Sequence, residues 1–311
     1  MVNVISERNT SARDANCLCA MLLDEASTVR AHLLRSILVV SIAPRLTAMR
    51  YQKGSIGLND FRDKPILRFV AESRYIGHSQ LWRFSRTAFA EFNRQVFNWR
   101  IRRLVRGGLV RRQVVPFLDG EALYSITGRG IQALERLGVY YLGADLNREK
   151  ELHEFQIPHA LELNAIRLAL MRTYEFSSWI PESFIRVLNL SPATTYAKVY
   201  DGIARVRLTG GSIEFAVEYE RTLKSQAKYE KIREVIESEK RLSVFLYLLP
   251  TNELLSSLRH EFWRTKRQVL FGLVDEFKES VFQAPLTTAM YDRTSLQEAL
   301  TQACALAKPP T

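Results

Sequence analysis

Residues Asn93–Leu134 read NRQVFNWRIRRLVRGGLVRRQVVPFLDGEALYSITGRGIQAL, and their punctuation decides how the first half of the chain folds. Val96, Ile101, Leu104 and Val105 recur at roughly helical spacing and predict one buried stripe. Arg94, Arg100, Arg102, Arg103 and Arg106 fall largely outside it. Gly107-Gly108 ends the helix, since glycine enters the left-handed conformation that closes helices without a Cβ penalty. Leu109–Val115 and Ala122–Ile126 are rich in strand formers, and Asp119-Gly120 between them predicts a tight hairpin turn. Thr127-Gly-Arg-Gly then opens a further helix, Thr127–Leu137, ending at Gly138. Helix, hairpin and helix with this charge outline a winged helix-turn-helix that reads duplex DNA.

The preceding residues supply two more helices. Ile66, Leu67, Phe69 and Val70 form the apolar side of a helix over Pro65–Arg74, with Asp63 near its cap position. Gly77 breaks it, and Ser79 is read as the cap of a short helix Gln80–Arg86. The basic helix is then the third, set in the major groove with the hairpin beside it. On this reading Arg94, Asn98, Arg100, Arg102, Arg103 and Arg106 face DNA, and Arg111 and Arg112 at the hairpin base meet phosphates. A basic protein-binding module of the same shape is the plainer alternative.

Charge favours the DNA reading. The chain has 311 residues and a formal charge of +11, and Arg62–Gln113 hold 13 Lys/Arg against 3 Asp/Glu. Residues 1–61 hold 7 against 5, and residues 114–311 hold 24 against 25. A solvated face mixes signs, so this one-signed field points to a polyanion. Cys17, Cys19 and Cys304 make neither a disulfide framework nor a zinc signature. Ala31–Ala43 are apolar but too short to span a bilayer and are interrupted by Arg35, and no signal peptide is read. The expected compartment is a reducing cytoplasm.

Four segments follow: 1–60, a poorly defined helical or flexible arm with helices between Met21 and Ile42; 61–145, the winged helix; 146–285, a second α/β domain; and 286–311, a frayed tail. The expected fold class is therefore α/β (α+β). Tyr140–Arg148 reads as the connector. Beyond it come a helix Ile157–Tyr174, a strand around Trp179, strands Lys198–Leu208 and Ser212–Tyr219, a helix Leu223–Ser238 and a buried strand Ser243–Leu249. A final helix is expected to carry Phe262, Val269 and Leu273.

Metal-dependent nucleases converge carboxylates on Mg²⁺, which activates water and neutralises phosphate charge. Asp201 precedes Gly202 at a strand or its turn, while Glu218 and Glu220 lie two apart near the end of the next strand. A hairpin would bring Asp201 beside Glu218, and Glu162 on the preceding helix would supply a further ligand. The expected metal set is Asp201, Glu218 and Glu162 around Mg²⁺.

His159–Asn164, Trp179–Glu182, Asp201-Gly202 and Glu218-Tyr-Glu-Arg-Thr222, placed behind a winged helix, resemble the replication-relaxation family of plasmids and other mobile elements. The resemblance covers residues about 65–250 and implies a DNA-binding protein of plasmid replication, relaxation or mobilisation. A relaxase or replication protein and a second copy of the chain are the protein partners it suggests. The second half is similar to the restriction-endonuclease-like fold, whose motif is Pro-Asp, a gap, then Asp/Glu-x-Lys. Tyr200 stands here in place of the proline and Glu220 in place of the lysine, and a carboxylate cannot supply that lysine's positive charge. Arg221, Lys224 or Lys228 would have to replace it, with Gln226 and Tyr229 as a loosely similar helical element. The expected catalytic set is Asp201, Glu218, Glu220 and Lys224. The leading expectation is a DNA-binding accessory or regulatory protein with a nuclease-like domain weakened in catalysis. An active Mg²⁺-dependent endonuclease and a winged-helix repressor are its two rivals.

Overall fold

The computed structural model describes residues 57–139, 154–190 and 195–306. The chain divides into two units, Met1–Lys53 and Gly54–Thr311. The first unit, with the helices expected between Met21 and Ile42, lies outside the described residues, as do Cys17, Cys19 and the connector Tyr140–Arg148 with the boundary near 145.

Within Gly54–Thr311, the first elements are α1 (Asp63–Ser73), β1 (Ile76–Gly77), α2 (His78–Phe89), α3 (Arg94–Arg106), β2 (Val110–Val114), β3 (Ala122–Ile126) and α4 (Gly128–Arg136). The strands form an antiparallel sheet in the order β1-β3-β2. Asn93 caps α3, its side-chain oxygen accepting from the N–H groups of Gln95 and Val96. The inward stripe of α3 is Phe97, Ile101 and Leu104; Val96 is exposed and Val105 half-buried, a correction to the expected stripe. Phe97 wins the inward place because its ring packs on Trp82 and His78, with centroids 5.1 and 5.3 Å away. α2 starts earlier than expected, with Gly77 rather than Ser79 at its cap position. Ser79 instead donates its N–H to Glu121 Oε1 at 2.6 Å. The left-handed glycine after α3 is Gly108, at φ 67. Asp119 (φ 45) and Gly120 (φ 77) form the tight turn, but a 3-10 turn, Pro116–Leu118, makes the hairpin loop longer than two residues.

The remaining elements build a seven-stranded mixed sheet. They are α5 (Ile157–Leu170), β4 (Phe176–Pro181), α6 (Glu182–Leu188), β5 (Gly202–Leu208), β6 (Gly211–Tyr219), α7 (Gln226–Ser238), β7 (Val244–Leu249), α8 (Asn252–Glu261), β8 (Gln268–Leu273), α9 (Val274–Ser280), β9 (Pro285–Thr288), β10 (Arg293–Ser295) and α10 (Leu296–Leu306). The order is β10-β9-β8-β7-β6-β5-β4, parallel across β6-β7-β8 and antiparallel elsewhere. Alternation sorts the two faces. Val217, Leu246 and Leu248 pack with Ile166 and Leu170 of α5, Phe277 of α9 and Leu300 of α10. Ala216, Phe245 and Tyr247 pack with Ile185 of α6, Tyr229 of α7 and Leu258 of α8 on the other face. The class is mixed α/β, as expected.

Three expectations are corrected here. Val269 and Leu273 lie in strand β8, not in a helix with Phe262; QVLFGL is a short apolar run that pairs with β7 and buries both faces. Residues 286–306 are not a frayed tail, because Leu286, Leu296 and Leu300 complete one face of the sheet. Lys198–Asp201 precede β5 rather than opening it.

α5 joins the two halves. Its Asn164 side chain donates to the Tyr75 carbonyl at 2.7 Å, and Leu161 accepts from Gln80 Nε2 at 2.7 Å. Arg167 bonds Glu72 at 2.7 Å and lies 4.4 Å from the Phe69 ring centroid, while Leu168 enters the core formed by α1, α2 and α3.

Candidate functional site

The antiparallel pairing of β5 with β6 puts Gly202 opposite Val217, so the next pair outward is Asp201 and Glu218. The turn into β5 is shaped by Trp179 of β4, whose ring lies where a Cβ on residue 202 would fall, 2.0 Å from its nearest carbon. Only glycine fits, which explains the Asp-Gly step. The two carboxylates line a cavity of about 480 Å³ that also receives Arg74, His159, Lys198 and Lys224.

Each acid has a defined set of partners. Asp201 Oδ2 accepts the Tyr219 N–H at 2.9 Å and lies 3.3 Å from His159 Nε2. That same Nε2 lies 3.1 Å from the Tyr219 carbonyl. Two acceptors around one ring nitrogen require Nε2 to carry a proton, leaving Nδ1 as the nitrogen that titrates. Glu218 Oε1 receives the Lys198 ammonium at 2.5 Å. Glu220 pairs with Lys224.

Burial opposes charge on all these groups, and their neighbours decide the outcome. Burial raises Asp201, but His159, the Tyr219 N–H and Lys198 together hold its carboxyl below the usual range. Burial pushes Glu218 up to about 7, with Asp201 adding to the rise and Lys198 opposing it. Burial works against the Lys198 ammonium, yet Glu218, Asp201 and Glu220 hold its pKa above the ordinary lysine value. Burial works against the His159 imidazolium, yet Asp201, the Tyr219 carbonyl and Glu218 together hold its pKa above the ordinary histidine value.

Other expected members stand apart. Glu162 pairs with Lys278 at 2.5 Å and does not line the cavity, so it is removed from the proposed ligand set. Among the described residues, no group of three or more His, Cys, Asp or Glu side chains is arranged to hold a metal ion. Arg221 donates to the Phe155 carbonyl at 3.2 Å. Gln226 and Lys228 are exposed on α7, outside the cavity lining, while Tyr229 is buried and accepts the Lys224 N–H at 3.0 Å. The cation paired with Glu218 is Lys198, which in the sequence is marked only as the start of a strand. Only the hairpin register, which sets residue 201 opposite 218, gives it away.

The basic helix also departs from expectation. Asp63, fully buried, accepts from Arg100 Nη1 at 2.9 Å, from Arg103, and from the Asn59 N–H at 2.7 Å. Burial would raise this carboxyl, but the two guanidiniums and the N–H hold it low. Arg103 also donates to the Gly57 carbonyl at 2.6 Å. Arg100 and Arg103 thus fasten α3 to the start of α1 and leave the expected DNA-facing set. Asn98 is half-buried instead of projecting outward. Arg94, Arg102, Arg106, Arg111 and Arg112 are exposed. Trp99 is 57% exposed on the same helix, with the Arg103 guanidinium 5.3 Å from its ring centroid.

Compared with protein-family models, curated proteins and solved structures, the chain matches none. Among the described residues no helix is long and apolar enough to cross a membrane.

Proposed function

We propose that this protein binds duplex DNA through α3 and the β2–β3 hairpin, as an accessory or regulatory protein of a plasmid or similar mobile element in the cytoplasm. The observation that carries the reading is the exposed run Arg102, Arg106, Arg111 and Arg112 on consecutive elements of the basic segment. Arg100 and Arg103 are committed to Asp63, so the reading rests on the exposure of those four side chains and of Arg94 instead. The order of α1, α2, α3 and the hairpin supports a winged helix with α3 in the major groove. A relaxase or replication initiator is the protein partner this reading names, and a homodimer is compatible with it.

The second half supports a nuclease-like reading through its order α5-β4-α6-β5-β6-α7-β7, with Asp201 just before β5 and Glu218 near the end of β6. The same order agrees with the replication-relaxation resemblance. Glu220 in place of a lysine supports weakened catalysis, and Mg²⁺ belongs to this reading only in the rival, active form.

Fluorescence anisotropy on labelled duplex at several salt concentrations tests the DNA reading. Changing Arg102, Arg106, Arg111 and Arg112 together to Ala is expected to weaken binding and to reduce the slope of log K against log salt by about 3–4. An unchanged affinity and slope would reject the interface.

A further inference from the structure

We propose that Lys198 is a built-in counter-ion standing where a divalent metal would sit, so that this protein holds DNA without cutting it. The inference rests on the nuclease-like reading of the cavity and departs from the Mg²⁺ that such a fold implies.

The donor set does not fit a divalent ion. Glu162 is committed to Lys278, Glu220 to Lys224, and Asp201 Oδ2 to the Tyr219 N–H and His159. Glu218, the remaining acid, has the Lys198 ammonium 2.5 Å from Oε1. Mg²⁺ binds oxygen at about 2.1 Å in near-octahedral geometry, so ion and ammonium compete for one volume and repel one another. The ammonium satisfies the carboxylates as a donor of hydrogen bonds. It cannot coordinate a water and make hydroxide at neutral pH, which is what a nuclease metal supplies.

Lys198 is also held in place. The buried carboxylate of Glu239 accepts the Ala197 N–H and the Tyr200 hydroxyl, each at 2.9 Å, and the Arg241 N–H at 2.8 Å. Those bonds fix the chain on both sides of Lys198. The Lys198 ammonium lies 5.2 Å from the Tyr200 ring centroid, a further attraction at a desolvated site. A lysine free to swing into solvent would open the cavity to a metal; this one is braced against Glu218.

Mn²⁺ titration of the full chain, followed by electron paramagnetic resonance, tests the assignment. Lys198→Ala is expected to bind one Mn²⁺ at least about tenfold more tightly than wild type, since a part-buried repelling charge is removed, and Asp201→Asn added to it is expected to abolish the gain. A folded Lys198→Ala with no gain, or wild type binding Mn²⁺ as tightly and in an Asp201-dependent way, overturns it. Should Lys198→Ala fail to fold by circular dichroism, wild type and Asp201→Asn decide alone. Asp201-dependent Mn²⁺ uptake, or nicking of supercoiled plasmid, by wild type overturns the assignment, and absence of both supports it. Duplex binding is measured on the same samples. Its loss with the expected Mn²⁺ pattern rejects the DNA reading and leaves Lys198 standing, and the reverse pattern does the opposite.

Discussion

Asp63 shows how far a single side chain can redirect the reading of a helix. It is fully buried, yet three donors satisfy it, two of them arginines from α3. Removing its charge leaves those guanidiniums without their anchor. Asp63→Asn is expected to destabilise the fold by about 3 kcal/mol in urea denaturation, the scale for breaking a buried pair from one side. A loss under about 1 kcal/mol would show that the clamp contributes only as a surface pair does. Gly202 is the second such residue. Any side chain there meets the Trp179 ring, so Gly202→Ala is expected to cost about 1–3 kcal/mol by overpacking, with part recovered when Trp179→Leu makes room. If Gly202→Ala alone leaves the melting temperature unchanged, the close contact is not what selects glycine. Asp63 was visible in the sequence as a helix-start residue; its partners, 37 and 40 residues away, were not.

At the level of elements, α3 divides its arginines between structure and surface. The stripe Phe97, Ile101, Leu104 faces the core, and helical geometry carries Arg100 and Arg103 to its flank, within reach of α1. Arg102 and Arg106 point away. Arg100→Ala and Arg103→Ala are therefore expected to lower thermal stability, whereas Arg102→Ala and Arg106→Ala leave the melting temperature nearly unchanged and weaken duplex binding. Calorimetry and anisotropy on the four variants separate the groups, and an equal loss of stability in all four would refute the division. Periodicity located this helix and Gly107-Gly108 its end, because those depend on neighbours a few residues apart, whereas the Asn93 cap shows only in the structure. Periodicity could not assign the arginines, since no local pattern marks which cation meets a distant acid.

Across the whole molecule, α5 and the C-terminal elements make the two halves interdependent. Asn164 holds the Tyr75 carbonyl, and Leu168 fills the core of the helical part, so a fragment ending at residue 145 lacks both. Deleting residues 285–306 uncovers the sheet face closed by Leu286, Leu296 and Leu300. That truncation is expected to abolish cooperative unfolding rather than trim a tail, as circular dichroism melts would show; an unaltered transition would contradict the assigned packing. Stability should also depend on pH in two windows. Asp63, Glu72 and Asp201 have lowered pKa values, so their contribution holds above the unfolded carboxylate range and is lost as pH falls through the folded values, below about 4. Glu218 is raised to about 7, so its contribution is complete at low pH and is lost as pH rises through about 7. Urea midpoints across this range should fall on both sides, and Glu218→Gln should flatten the alkaline fall. A limb that survives the substitution unchanged belongs to another group.

What the sequence by itself determined is local or additive: the helix α3 and its glycine stop, the Asp-Gly turn, the buried strand β7, the mixed α/β class, and the concentration of positive charge in Arg62–Gln113. Those features follow from backbone preferences, periodicity and composition, which a linear reading can sum. The tertiary structure alone decided which charges are spent. It set Asp63 against Arg100 and Arg103, Glu162 against Lys278, and Lys198 against Glu218, because burial makes an unpaired charge costly and the nearest opposite charge in space satisfies it. It likewise made β8, β9 and β10 part of the sheet and packed α10 on one of its faces, since short apolar runs declare helix or strand only when a neighbour offers an edge to pair with.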